Sequence, residues 1–354
     1  MASWSDLNSD ALGHIMGFLS LPDHHRFSAV CRNWRWVAKH KNCPPAEQLP
    51  WLMMREDAST KKRKFYSLTE KRHYYIDIPE LQNQRWIGSS FGWLFIVDRK
   101  FIPRIFNPFT RECYELPPLP RFEEEMLHER LVKAVISHDP SKTHDFTVLF
   151  LYQMVFVSVA VWRSGDNTWR CVPCKDHVAD AIFFRGNFYL ACGSDLFMIS
   201  DLGSNPTMKH VMPLSLSGVE HLVDFMGELL LAERHLKSIG GGPRDLHVVT
   251  ARFVVHKLNL EEKRSSQCKD FGDYAIFLGT SCPLVVNSLL FPGCKKNCIY
   301  FTDLSYKLSP EAYGCDDLGV YNFATDATEL YYPPGIFHPL AEPPIWLTPN
   351  INKL

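Results

Sequence analysis

Two clusters in this 354-residue chain have residue types and spacings that could do chemistry. Gly88-Ser89-Ser90-Phe91-Gly92 fits the G-x-S-x-G pattern of a nucleophile elbow. That chemistry needs the serine on a strained strand-to-helix turn, with a histidine and a carboxylate in reach. The next residues, Trp93-Leu94-Phe95-Ile96-Val97, read as a strand, so the glycines are expected to make a tight turn between strands. Cys171-Val172-Pro173-Cys174, with His177 three residues on, carries the ligands of redox or zinc chemistry. A redox dithiol of that type opens a helix in a βαβ unit, whereas strand-like segments flank this one on both sides. Zinc would need a fourth ligand, and Cys294 and Cys298 are more than 100 residues away. Reduced cysteines packing as small apolar side chains explain the pair better. The flexible loop Ser238 to Arg244 lacks the Lys-Ser/Thr of a phosphate-binding loop. His24-His25 reads as a solvated face. No catalytic residue, metal ligand or cofactor is expected.

Composition narrows the classes further. Net charge is −1, so no global field draws nucleic acid or an anionic membrane. Arg163, Trp169 and Arg170 are scattered along strands and form no basic–aromatic stripe. The longest apolar stretch, Val148 to Trp162, contains Gln153; it is too short and mixed to span a bilayer and reads as two adjacent strands. Asp6 and Asp10 near the N-terminus, without an apolar run of signal-peptide length, argue against secretion. The eleven cysteines are therefore expected as reduced thiols, and the location as cytoplasm, nucleus or both.

The elements that position everything else change character along the chain. Leu7, Leu12, Ile15, Met16 and Leu19 fall on one helical face. Ser20-Leu21-Pro22-Asp23 then breaks the pattern: Ser20 suits a helix cap, Pro22 a first turn, and Asp23 the positive dipole end. Phe27, Val30, Cys31 and Trp34 continue as a second apolar stripe, and Pro44-Pro45 stops the third helix. Three short helices in some 35 residues bury too little surface alone and are expected to complete their core on a partner. Residues 41–64 are expected to be a joint, ending in Lys61-Lys62-Arg63-Lys64, either a nuclear-import signal or a solvated linker.

This opening resembles the F-box, the adaptor-binding motif of ubiquitin-ligase substrate receptors. The family's Leu-Pro-x-Asp/Glu-Leu-Leu-x-x-Ile-Leu stands here as Leu7-Asn8-Ser9-Asp10-Ala11-Leu12-Gly13-His14-Ile15-Met16. Its Val-Cys-Lys/Arg-x-Trp stands as Val30-Cys31-Arg32-Asn33-Trp34. Asn8 replaces the usual proline and Ala11 a leucine. The resemblance implies adaptor binding through Trp4, Leu7, Leu12, Ile15, Leu19, Pro22, Val30, Cys31 and Trp34.

From Phe65 the period becomes strand-like and a repeat emerges. Gly92-Trp93-Leu94-Phe95, Gly186-Asn187-Phe188-Tyr189, Gly227-Glu228-Leu229-Leu230 and Asn297-Cys298-Ile299-Tyr300 are alike, and Asp145-Phe146-Thr147-Val148 fits the same slot. Each is followed by another strand-like segment. A recurrence near 40 to 50 residues with several short strands per unit is the mark of a β-propeller. Phe65 to Leu68 and Tyr74 to Asp77 are expected to close the ring beside the C-terminal strands. The fold class is therefore mainly β: a three-helix F-box (1–40), a linker (41–64), and a propeller of five to six blades (65–354).

This second part is similar to the propeller domain of unknown function in a large plant family of F-box proteins. The similarity rests on Gly88 to Leu94, Asn107-Pro108-Phe109-Thr110-Arg111, Leu116-Pro117-Pro118-Leu119, Trp162 through Trp169, Ala275 to Gly279, Ile299 to Asp303 and Pro343-Pro344-Ile345-Trp346. The combined resemblance implies a non-catalytic substrate-receptor subunit. Its partners would be a Skp-type adaptor, through it a cullin, and a target protein that the sequence does not name; neither nucleic acid nor membrane is expected. A propeller interaction protein with a silent F-box is the second reading. A propeller enzyme or lectin is the third, and no polar constellation supports it.

Overall fold

A computed structural model describes residues 4–19, 21–40, 49–82, 84–98, 102–119, 131–153, 157–174, 176–200, 202–203, 205–215, 218–239, 247–302, 317–330 and 344–349. The N-terminal part holds a 3-10 turn (Trp4–Asp6) and helices α1 (Ser9–Met16), α2 (Leu21–Val30) and α3 (Arg32–His40). Ser20, the expected cap, lies outside the described residues. The chain leaves helical geometry at Cys31, so the stripe expected as continuous from Phe27 to Trp34 divides between α2 and α3.

All described strands fall into six sheets. Blade 1 takes β1 (Trp51–Glu56), β2 (Arg63–Ser67) and β3 (Arg72–Ile76). Blade 2 holds β4 (Arg85–Ser90), β5 (Trp93–Val97), β6 (Pro103–Phe106) and β7 (Cys113–Glu115). Blade 3 holds β8 (Leu131–Ile136), β9 (Thr147–Gln153), β10 (Val157–Arg163) and β11 (Arg170–Val172). Blade 4 comprises β12 (Val178–Phe184), β13 (Asn187–Cys192), β14 (Asp195–Ser200) and β15 (Thr207–Pro213). Blade 5 comprises β16 (Val219–Phe225), β17 (Glu228–Ile239), β18 (His247–Asn259) and β19 (Arg264–Cys268). Blade 6 has five strands, β20 (Tyr274–Leu278), β21 (Leu284–Asn287), β22 (Cys298–Phe301), β23 (Gly319–Asn322) and β24 (Ala327–Leu330). The last described strand, β25 (Ile345–Leu347), returns to pair with β1 and closes blade 1. Six blades result, the upper end of the expected range.

The stretch expected as a joint differs from that expectation. Its part from Trp51 to Glu56 is β1, paired on one side with β2 and on the other with β25. Arg63, from the basic cluster, is buried in β2, with its guanidinium 4.6 Å over the Trp86 ring and a donor on the Leu81 carbonyl. Trp51-Leu52-Met53-Met54 has no polar–apolar alternation because both its faces are covered. Trp51 and Met53 pack into the cluster shared with blade 2, while Leu52 and Met54 pack into the one shared with blade 6.

That two-sidedness recurs around the ring. Val148 and Phe150 of β9 face blade 2, whereas Leu149 and Leu151 face blade 4. Further clusters join blade 4 to 5 and blade 5 to 6. Successive side chains of a strand point to opposite faces, so a strand sandwiched between two neighbouring blades carries apolar residues on both faces. Outermost strands such as β7 and β19 carry exposed polar residues that discourage edge pairing.

In blades 2 to 5 the sequence repeat marks one structural position, whereas Asn297 precedes β22, the third strand of blade 6 in chain order, which pairs parallel with β20. Phe91-Gly92, Arg185-Gly186 and Met226-Gly227 each have two consecutive positive φ values, the signature of a type I′ turn, and each leads into the second strand of its blade. Asp145 precedes β9, also a second strand.

The inner strands are tied by buried polar groups. Ladder slips between Trp86 and Gly88, Leu131 and Lys133, and Val178 and Asp180 mark β-bulges in β4, β8 and β12. Such bulges re-aim the side chain beyond them. Lys133 Nζ meets Asp180 Oδ1 at 2.6 Å with both side chains fully buried, and Asp180 Oδ2 accepts from the Leu222 amide of β16 at 2.8 Å. Blades 3, 4 and 5 are thus joined through one carboxylate. Arg234 of β17 meets Asp317 Oδ2 at 2.6 Å and donates to the Thr302 carbonyl, joining blades 5 and 6.

This closure generates two expected outcomes. A chain starting at Leu49 should melt in one cooperative transition with a β-type circular dichroism spectrum, whereas one starting at Lys64, lacking β1, should not. Lys133→Met, which strands a buried carboxylate, should lower the stability read from urea denaturation by about 3–5 kcal/mol. Adding Asp180→Leu should recover part of that loss, the orphaned Leu222 amide accounting for the rest.

Candidate functional site

The helical unit has a small core of its own. Leu12, Met16, Phe27 and Val37 are buried together, with Leu7, Ile15, Leu19, Trp34 and Ala38 half-buried around them. Asn8, at the position where the F-box family carries proline, is the N-cap of α1: its side-chain oxygen accepts from the Ala11 amide at 2.8 Å. Such a cap is worth about 1 kcal/mol, so the substitution keeps the helix start defined by another means. The N-terminal turn is strapped to α3 by polar side chains. Trp34 Nε1 donates to the Trp4 carbonyl at 3.1 Å, and Asn33 Nδ2 to the carbonyls of Ser5 and Leu7 at 3.3 and 3.1 Å. The Phe27 and Trp34 ring centroids lie 4.4 Å apart. An exposed Arg26–Asp23 pair adds little.

The nine residues singled out by motif separate by burial. Leu12 lies in the core and supports the unit from inside, whereas Leu7, Ile15, Leu19, Cys31 and Trp34 are half-buried. Pro22 stands second in α2. Trp4 at 72% and Val30 at 56% exposure hold apolar surface out in solvent. Motif matching missed Phe18 (73%) and Trp36 (53%), each ring paired with a histidine, His14 and His40 respectively. Four of the nine large exposed apolar residues among the described ones thus fall within residues 4–40. A signal for Phe18 and Trp36 was present in the sequence: both fall off the apolar helical face, where an aromatic serves no core.

The chemistry-bearing motifs of the propeller are absorbed by its architecture. Ser89 and Ser90 end β4, and a strand comes after the turn, as the sequence suggests. The Ser89 hydroxyl donates to the Trp346 carbonyl at 2.5 Å and lies 3.1 Å from Ser281 Oγ, so it clasps blade 2 to blade 6 and to β25. Gly88 has φ +153°, and a Cβ there would sit 2.7 Å from the Thr280 carbonyl oxygen; only glycine permits that approach. Cys171 lies by the Tyr152 hydroxyl, while Cys174 packs with Cys192 in the cluster between blades 3 and 4. Cys294 and Cys298 belong to a different cluster, between blades 6 and 1, so the fold does not bring the suggested zinc ligands together. Burial raises the Cys298 thiol to about 11 and pushes the Cys282 thiol up as well, which keeps both protonated and unreactive at neutral pH. Among the described residues no group of three or more His, Cys, Asp and Glu side chains is arranged to hold a metal ion, and no helix is long and apolar enough to cross a membrane.

Comparison with known proteins places these features. The F-box domain model matches residues 4–42, and the KIB1-4 beta-propeller model matches residues 65–322. Among curated proteins, the Arabidopsis thaliana F-box protein At2g14290 is 24% identical, covering 99% of this chain and 98% of its own. The putative F-box protein At4g17565 of the same plant is 25% identical over 89% of this chain and 88% of its own. A solved oligogalacturonate lyase in complex with manganese overlaps 76% of this chain and 70% of its own at a TM-score of 0.38 and 10% identity, too distant to bear on function. The helical unit and the six-bladed ring are therefore two parts of one arrangement shared with plant relatives, and the chain belongs to the KIB1-4 β-propeller family as an F-box protein.

Proposed function

We propose that this protein is the substrate-receptor subunit of a Skp-cullin-F-box type ubiquitin ligase. The observation that carries this reading is the F-box match over a helical unit that exposes Trp4, Phe18, Val30 and Trp36 while keeping a separate core. In this reading the exposed apolar residues dock on a Skp-type adaptor, which brings a cullin. The propeller holds a target protein on its loops. The chain takes no covalent part in ubiquitin transfer; it raises the effective concentration of target lysines near the ubiquitin thioester. The serine motif fits this reading, since the Ser89 hydroxyl is already engaged by the Trp346 carbonyl.

The test separates surface from core. Val30→Asp should weaken capture of a purified Skp-type adaptor about 30-fold, the effect of removing an anchor worth about 2 kcal/mol, with helicity unchanged. Trp4→Ala should act in the same direction. Leu12→Ala should instead destabilise the helical unit by about 2–5 kcal/mol. Capture at wild-type strength by both surface variants would count against the reading and favour a propeller interaction protein with a silent F-box.

A further inference from the structure

The Cys174 and Cys192 sulfurs lie 3.2 Å apart, closer than two non-bonded sulfurs rest without a shared proton, although 18 residues separate them in sequence. The approach is built in on both sides. Cys192 ends β13 opposite Val178 of β12, and Cys174 stands four residues before Val178 in the connection that leaves β11 of blade 3. That connection is held down: the Gly193 amide donates to the His177 carbonyl at 2.9 Å, and a Cβ at position 193 would lie 3.4 Å from the Asp176 side chain. Both thiols turn toward the Asp176 carbonyl, at 3.1 Å from Cys174 and 3.6 Å from Cys192. The two differ in access, since Cys192 is buried and Cys174 is half-buried.

From this geometry we infer that Cys174 and Cys192 are a peroxide-sensitive dithiol that closes to a disulfide across the junction of blades 3 and 4. The Cys174 sulfur, the reachable one, attacks a hydroperoxide oxygen: an S–O bond forms, the S–H and O–O bonds break, and the leaving oxygen takes the Cys174 proton and departs as an alcohol, or as water from hydrogen peroxide. The Cys192 sulfur then attacks the sulfenic sulfur. An S–S bond forms, the S–O bond breaks, and water leaves with the Cys192 proton. The two sulfurs lose two electrons together and the peroxide gains them. The hydrogen bond to Cys174 and burial raise the Cys192 thiol, so it stays protonated, which suits Cys174 as the sulfur that reacts first. Bond formation closes the gap to about 2.05 Å, a small movement for a connection with one end in a loop. The bridge ties the blade 3 crossover to the second strand of blade 4. It is independent of the ligase reading.

The test uses the full chain, purified reduced, treated with hydrogen peroxide, alkylated and digested with trypsin without reductant. Two of the eleven thiols should be lost, with peptide 171–175 linked to peptide 186–209, and dithiothreitol should restore both. Because peptide 171–175 also holds Cys171, variants assign the bond. Cys171→Ser should keep the linkage, and Cys174→Ser and Cys192→Ser should each abolish it while giving the wild-type circular dichroism spectrum. Linkage persisting in Cys174→Ser would overturn the inference. So would its absence from wild type at a peroxide dose that oxidises other thiols of the chain.

Discussion

Everything in the propeller depends on the antiparallel pairing of β1 with β25, which joins residues about 290 positions apart. Each blade hides both faces against neighbours, so a missing blade exposes apolar surface on two others. A ring with one open seam is thus destabilised at the seam and at both adjoining interfaces. Trp346 shows how much converges there. It belongs to the cluster between blades 6 and 1, its ring nitrogen donates to the Leu278 carbonyl, and its own carbonyl accepts from Ser89 and Ser281.

Around the ring the apolar clusters supply cohesion, and buried polar groups supply registration. Apolar contact is non-directional, so sheets held by it alone can slide. Lys133–Asp180 and Arg234–Asp317 are costly to bury, but each satisfies directional partners on more than one blade. A slip of one blade against another would leave these groups without partners in a low-dielectric interior. The bulges preceding Lys133 and Asp180 are the local devices that set the direction of those two side chains.

Much of this architecture was legible because the turns leave a sequence trace: a glycine ahead of a short apolar run in blade after blade. The F-box was legible because two motifs occur in the right order. What escaped was what needs partners distant in sequence. β1 hid as a joint because blades 2 and 6 cover its two faces, erasing the alternation that announces a strand. Cys192 went unnoticed beside Cys174 because their meeting depends on the β12–β13 register. Asn8 read as a motif departure, yet in place it is a cap.

The late position of β25 has a consequence for synthesis. On a ribosome the helical unit emerges first and needs only local contacts to form its core. β1 emerges soon after but lacks one partner until some 290 further residues have been made, roughly 15–60 s at ordinary elongation rates. Throughout that interval β1 presents an open edge of unpaired backbone N–H and C=O groups, a template for pairing with other chains. A chain released before Ile345 would carry its helical unit intact beside a ring that cannot shut, so the two halves of the molecule reach readiness at different times.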